Sequence, residues 1–291
     1  MPTLYDGNGN IIEISSGGSG TDSGYFGVSN YAVYEDDNGS ARQGNLTYQG
    51  KTFYPITNQA QRQDKVKVYN GGVMLTLGDS YTAYMNTFFD TFATKHGLVQ
   101  DNRGLASSTI AGSEDGSTVG YHAFWVRLNA AISEYQAGHA IGDTTYNLDD
   151  VKLITFMGGA NDWTTVDETQ GIDRIGNRDS TNKEQLYGAC NYIFNTLLST
   201  FPNADIVVIL QPSNETKGNN IMQLKEGVVR EMAERYGLPI CDCIFEWYNP
   251  SNPIEATKYW QTDKLHLTAE GHQAIIDKLE KVVNNLPFER N

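Results

Sequence analysis

Two hydrophobic periods divide this chain. From residue 66 onward, short and mostly apolar runs alternate with longer stretches of helical period. The apolar runs are residues 72–77, 151–157, 204–210 and 238–244. Runs of that length predict strands buried on both faces. Residues 82–96, 123–135, 184–198 and 217–236 repeat their apolar positions every three to four residues and predict helices. A last helix is predicted over 268–284, with Ile275, Ile276, Leu279, Val282 and Val283 as its apolar stripe. Apolar strands alternating with helices predict an α/β fold whose parallel sheet is covered on both faces. Ligands bind such sheets beyond the carboxyl ends of the strands.

Residues 1–65 follow another pattern. Short β-prone pieces at 3–5, 11–14, 25–34, 45–48 and 52–56 are separated by turn-forming residues, and 15–24 is a Ser/Gly-rich linker. This predicts a small β-rich appendage over 1–65, ahead of a main domain over 66–291. The turn Asp6-Gly7-Asn8-Gly9-Asn10 has the look of a calcium loop. Its sixth position is Ile11 where Gly is required, and its twelfth is Gly17 where Glu is required, so no calcium is expected there.

Charge narrows the partners. A formal net charge of -14 repels phosphate backbones and anionic membrane surfaces. Neither nucleic acid nor membrane is an expected partner. With no cationic, apolar leader and no apolar run of about 20 residues, the expectation is a soluble protein, cytoplasmic or particle-associated. Cys241 and Cys243 fall in one predicted strand and read as buried thiols, because no further ligands are spaced for zinc. Cys190 reads as a helical core residue. No metal and no disulfide framework is expected.

Three motifs follow predicted strands. Gly78-Asp79-Ser80 lies between a strand and a helix, where a sharp turn exposes a hydroxyl and offers backbone N–H groups to an anion. The same residues would also serve as an ordinary turn and helix cap. Asp263-Lys264-Leu265-His266 precedes the last helix. A serine hydroxyl needs a base, His266 is suited to that work, and Asp263 is near enough to fix its tautomer. Gly158-Gly159-Ala160-Asn161-Asp162 ends the second strong strand, and the Asn161 amide is a candidate oxyanion donor. His96, His122, His139 and His272 lack such a partnered motif and read as packing or surface residues.

Together these motifs resemble the SGNH, or GDSL-type, hydrolases over about residues 70–285. The matching blocks are Leu77-Gly78-Asp79-Ser80-Tyr81, Gly159-Ala160-Asn161-Asp162 and Asp263-Lys264-Leu265-His266-Leu267. A further block, Asn102 to Thr109, carries Ser107 where the family usually has glycine. The resemblance implies a three-layer α/β/α fold, ester or thioester hydrolysis, and no cofactor or metal. It implies Ser80, His266 and Asp263 as a catalytic triad, with the oxyanion held by the Ser80 and Ser107 N–H groups and the Asn161 amide. Ser107 can give its N–H only from a compatible backbone. Tyr81 and Trp163, beside these motifs, are candidate pocket residues.

The expected substrate is a short-chain ester, foremost an acetylated carbohydrate, small or polymeric. No long apolar lid is evident, and aromatic residues suited to sugar rings are plentiful. A lipase or acyl-thioesterase is the enzymatic alternative. A glycan-binding or virion or cell-surface attachment module carrying a hydrolase-like domain is the alternative from another class. Residues 1–65 would then mediate attachment or assembly into a homo-oligomer or larger particle.

Overall fold

A computed structural model describes residues 66–114, 122–162, 173–214, 219–244 and 257–286, with short strands in the first 65. The chain divides into two compact units, 1–66 and 67–291.

In the first unit, Leu4–Tyr5 pairs antiparallel with Ile11–Ile12 across the Asp6–Asn10 segment. Ser23–Phe26, Ala32–Glu35 and Ala41–Arg42 form a three-stranded antiparallel sheet. Leu46–Tyr48 pairs with Lys51–Phe53.

The second unit is a doubly wound sheet. Its strands are β1 (Val73–Gly78), β2 (Val99–Gly104), β3 (Val151–Met157), β4 (Asp205–Leu210) and β5 (Ile240–Asp242). They pair in parallel in the order β5-β4-β3-β1-β2. Every residue of β1 is buried. Its side chains alternate between two cores: Val73, Leu75 and Leu77 face one, and Met74 faces the other. β3 divides in the same way, with Ile154 and Phe156 against Leu153 and Met157. The covering layers include the helices α1 (Ser80–Tyr84), α2 (Asn86–Lys95), α3 (Phe124–Ala137), α4 (Leu186–Thr200), α5 (Asn219–Arg235) and α6 (Ala269–Asn284). Phe124, Leu128, Ile193, Phe194, Val229 and Met232 of α3–α5 fill the first core. Phe89, Phe92, Ile275, Leu279 and Val283 of α2 and α6 fill the second. The result is a three-layer α/β/α fold.

Two departures from the predicted elements have simple causes. The helix expected over 82–96 is broken at Met85, where ψ turns to 10° and separates α1 from α2. β2, Val-Gln-Asp-Asn-Arg-Gly, is polar because it is an edge strand with no fully buried residue. Among the described residues no helix is long and apolar enough to cross a membrane. Cys190, Cys241 and Cys243 are buried and outside any disulfide, and no described group of His, Cys, Asp and Glu could hold a metal ion.

Candidate active site

The strand order reverses between β1 and β3, and the crevice at such a switch point is where open α/β sheets bind ligands. Gly78 and Met157 end these strands side by side. A Cβ on Gly78 would lie 1.8 Å from Thr82 Oγ1 and 2.7 Å from the Met157 carbonyl, so only glycine allows this tight exit. Asp79 then caps α1, its Oδ1 accepting the Tyr81 N–H at 3.0 Å. The cap places Ser80 at the first helical position, almost buried at 7% exposure.

His266 reaches Ser80 from the loop before α6. Its Nε2 lies 3.3 Å from Ser80 Oγ, and its Nδ1 lies 2.6 Å from Asp263 Oδ2. The other carboxylate oxygen, Oδ1, accepts the N–H groups of Leu265 and His266 at 3.0 and 2.9 Å. Burial alone would raise the Asp263 carboxyl, but the two backbone N–H groups and the imidazole outweigh it and hold the carboxyl below its usual range. Lys264, between them, has φ 53°, and this left-handed turn reverses the chain so that Asp263 and His266 face each other. Thr268 caps α6 with its hydroxyl on the Gly271 N–H and so fixes where the loop ends.

The loop after β2 forms the opposite wall. The Ser108 N–H and Oγ both donate to the Leu105 carbonyl, at 3.2 and 2.6 Å. Ser107 lies inside this turn at φ 64°. The residue that replaces the family's usual glycine therefore keeps the glycine-like backbone. No hydrogen bond engages its N–H among the described residues, and it is exposed. Asn161 Nδ2 donates to the Ser108 carbonyl at 3.0 Å, so the turn after β3 is tied to this loop. Asp162 completes the tie by accepting the Ile110 and Ala111 N–H groups at 2.9 and 2.8 Å. Arg127 of α3 donates to Gly78 O and Ser108 Oγ, at 3.0 and 3.2 Å. Burial, with a smaller push from Arg103, lowers its guanidinium to about 10.

Beneath the site lies a buried acidic layer. Burial lifts Asp79 to about 6 and Asp162 to about 7, against opposing hydrogen bonds. Glu226 is also pushed up by burial, and Asp79 and Asp162 add to it. Gln211 joins this layer to the turns above through Asp79, Ala160 and Glu226.

Ser80, His266 and Asp263 are thus brought together, with Ser107 and Asn161 on neighbouring turns. Tyr81 is not a pocket wall. It is 1% exposed, and its hydroxyl donates to Leu265 O at 2.6 Å and accepts from Asn214 at 3.2 Å. The ring points into the second core because position 81 faces the sheet when Ser80 faces the crevice. Tyr84 stands at the site instead. It is 51% exposed and meets the His266 ring edge to face at 4.9 Å. Its spacing from Ser80, four residues on, is the signal that marks a shared helix face. Trp163 lies outside the described residues. His272 is buried against Phe88, and burial, then the neighbouring His266, lowers it to about 4.

Solved structures are similar to this chain, and the first of them shares its fold. A Lactobacillus plantarum protein is 21% identical with TM-score 0.56, over 75% of this chain and 98% of its own. A lipase/acylhydrolase from Enterococcus faecalis is 13% identical, TM-score 0.46, over 73% and 95%. A variant of an acetyl-xylooligosaccharide esterase from a Geobacillus is 16% identical, TM-score 0.47, over 77% and 99%. No curated protein is a significant sequence match. The family profile, however, matches residues 76–274, well over half the chain. With every motif residue inside that span and the fold around it, this chain is an ester hydrolase that belongs to the GDSL-like lipase/acylhydrolase family.

Proposed function

We propose that the protein is a serine esterase that removes short acyl groups, foremost acetyl, from carbohydrate hydroxyls. The observation that supports the serine esterase in this reading is the continuous contact Ser80 Oγ, His266 Nε2, His266 Nδ1, Asp263 Oδ2, at 3.3 and 2.6 Å. A serine hydroxyl becomes a nucleophile when a neutral imidazole accepts its proton. Ser80 Oγ attacks the acyl carbon and its proton passes to His266 Nε2. Asp263 holds Nδ1–H and stabilises the imidazolium. The carbonyl oxygen gains negative charge and is held by the Asn161 amide and the N–H groups of Ser80 and Ser107. The carbon–oxygen bond to the alcohol breaks, and the alcohol leaves with the proton from Nε2. Water then repeats the sequence on the Ser80 ester and releases the acid.

The test combines labelling with turnover. An organophosphonate should modify wild type at Ser80 and leave Ser80→Ala unlabelled. Acetate release from acetylated oligosaccharides should exceed release of acids of eight or more carbons from matched esters. Labelling at another serine, or a preference for the long acyl chains, would overturn the reading.

A further inference from the structure

We propose that Tyr84 is the platform that selects the alcohol half of the ester, and that it takes the face of a neutral pyranose ring. This rests on the serine esterase reading, in which His266 Nε2 protonates the departing alcohol. The leaving oxygen must then come within about 3 Å of Nε2. The Tyr84 ring centre is only 4.9 Å from that of the imidazole. The carbons attached to the leaving oxygen therefore come against Tyr84. The oxyanion candidates belong to other turns, Ser107 after β2 and Asn161 after β3. Tyr84 accordingly reads the alcohol and not the acyl group.

The chemistry of the side chain identifies the class of alcohol. A ring with half its surface exposed presents an apolar face, and a phenol carries a hydroxyl at its rim. Among the described residues no hydrogen bond engages that hydroxyl. A pyranose has the complementary form, with axial C–H groups on its face and hydroxyls around its edge. The protein's net charge of -14 disfavours a polyanionic polymer, which leaves a neutral sugar. Tyr81, the other tyrosine of α1, has both its ring and its hydroxyl engaged in the interior and is not available for this role.

The experiment measures kcat and KM for wild type, Tyr84→Ala, Tyr84→Phe and Tyr84→Trp on two acetyl esters. One is methyl tri-O-acetyl-xylopyranoside and the other is ethyl acetate. Tyr84→Ala should lower kcat/KM on the pyranoside about tenfold more than on ethyl acetate, mainly through KM, as loss of a stacking ring requires. Tyr84→Trp should restore the pyranoside preference, and Tyr84→Phe should keep most of it. The ratio of acetyl to butyryl hydrolysis on one alcohol should not move. Equal losses on both esters would assign Tyr84 to holding His266 and overturn the proposal. A change in acyl preference would place the ring on the acyl side and overturn it too. If wild type cleaves neither ester and Ser80 takes no phosphonate, the esterase reading itself falls, and this proposal with it.

Discussion

Gln211 donates its side-chain N–H groups to both carboxylate oxygens of Asp79, at 2.9 and 2.8 Å. Its Oε1 accepts the Ala160 N–H at 2.8 Å, and its own backbone N–H donates to Glu226 at 3.0 Å. One fully buried side chain at the end of β4 thus ties the turn that presents Ser80 to the turn that presents Asn161.

Removing that tie should cost both stability and rate. Gln211→Leu leaves the Ala160 N–H without its acceptor and Asp79 with the Tyr81 N–H. Each buried group left unpaired costs about 1–3 kcal/mol. Thermal melts should fall by about 2–4 °C for each kcal/mol lost in a unit of this size. The two turns should drift relative to each other, so kcat should drop about 10–100-fold. A variant with wild-type melting and wild-type kcat would show that Gln211 only fills space.

Such links explain what the sequence could and could not reveal. Ser80, His266 and Asp263 each stand in a short local motif, so their meeting in one site was legible from residue type and spacing. The interior strands were legible because β1, β3 and β4 are mostly apolar runs. β2 was not, since an edge strand carries polar residues and lacks that signature. Gln211 was not either, because its partners Asp79 and Ala160 lie 132 and 51 residues away. Tyr81 and Tyr84 show the limit most closely. Both follow Ser80 in sequence, but the turn of α1 sends one inward and leaves the other beside His266.

The acidic layer predicts an unusual pH dependence of stability. Burial raises Asp79 from the ordinary 3.8 to about 6. Below 3.8 both folded and unfolded chains hold this proton. Between 3.8 and about 6 the unfolded chain has released it and the folded chain has not, so stability falls as pH rises. Above about 6 the effect is complete, at about 3 kcal/mol for this group. Urea midpoints of wild type and Asp79→Asn should be compared from pH 4 to pH 7.5. The substitution disturbs the bond to Gln211 at every pH, so the slope is the informative quantity. The variant should gain on wild type as pH rises through this window. Parallel curves would mean that Asp79 titrates normally.

Ser107 holds a backbone that suits glycine. A non-glycine residue at φ 64° bears roughly 1–2 kcal/mol of strain. Ser107→Gly relieves it, and the extra freedom of glycine in the unfolded chain offsets about 0.5–1 kcal/mol of the gain. Melting should therefore change by no more than a few degrees. If the N–H is the working group, Ser107→Gly and Ser107→Ala should both keep kcat within about tenfold, or about 1.4 kcal/mol. Asn161→Ala removes a donor outright and should lose about 2.7–4 kcal/mol of transition-state stabilisation. A loss in Ser107→Ala as large as that in Asn161→Ala would assign the work to the serine hydroxyl.

Asp263→Asn separates the structural and electrostatic duties of the carboxylate. One oxygen, Oδ1, holds the loop through the Leu265 and His266 N–H groups. An asparagine oxygen can take over both bonds, so the loop and the fold should survive. The other oxygen accepts from His266 Nδ1 at 2.6 Å. In the variant an amide N–H₂ stands there and cannot accept. The imidazole is then driven to carry its proton on Nε2, the nitrogen that must receive a proton from Ser80. Loss of the carboxylate charge also leaves the imidazolium unsupported when it forms. By the usual cost of a wrong tautomer in such a site, kcat should fall about 10⁴-fold while KM changes little. Circular dichroism and melting should stay close to wild type, since the carboxylate is exposed and its backbone contacts are kept. Steady-state kinetics on an aryl acetate measure the first effect, and a pH series strengthens the assignment. Activity should recover at high pH, where hydroxide can remove the serine proton without the base. A fall in kcat of less than about tenfold would show that Asp263 positions the loop and contributes no charge to the reaction.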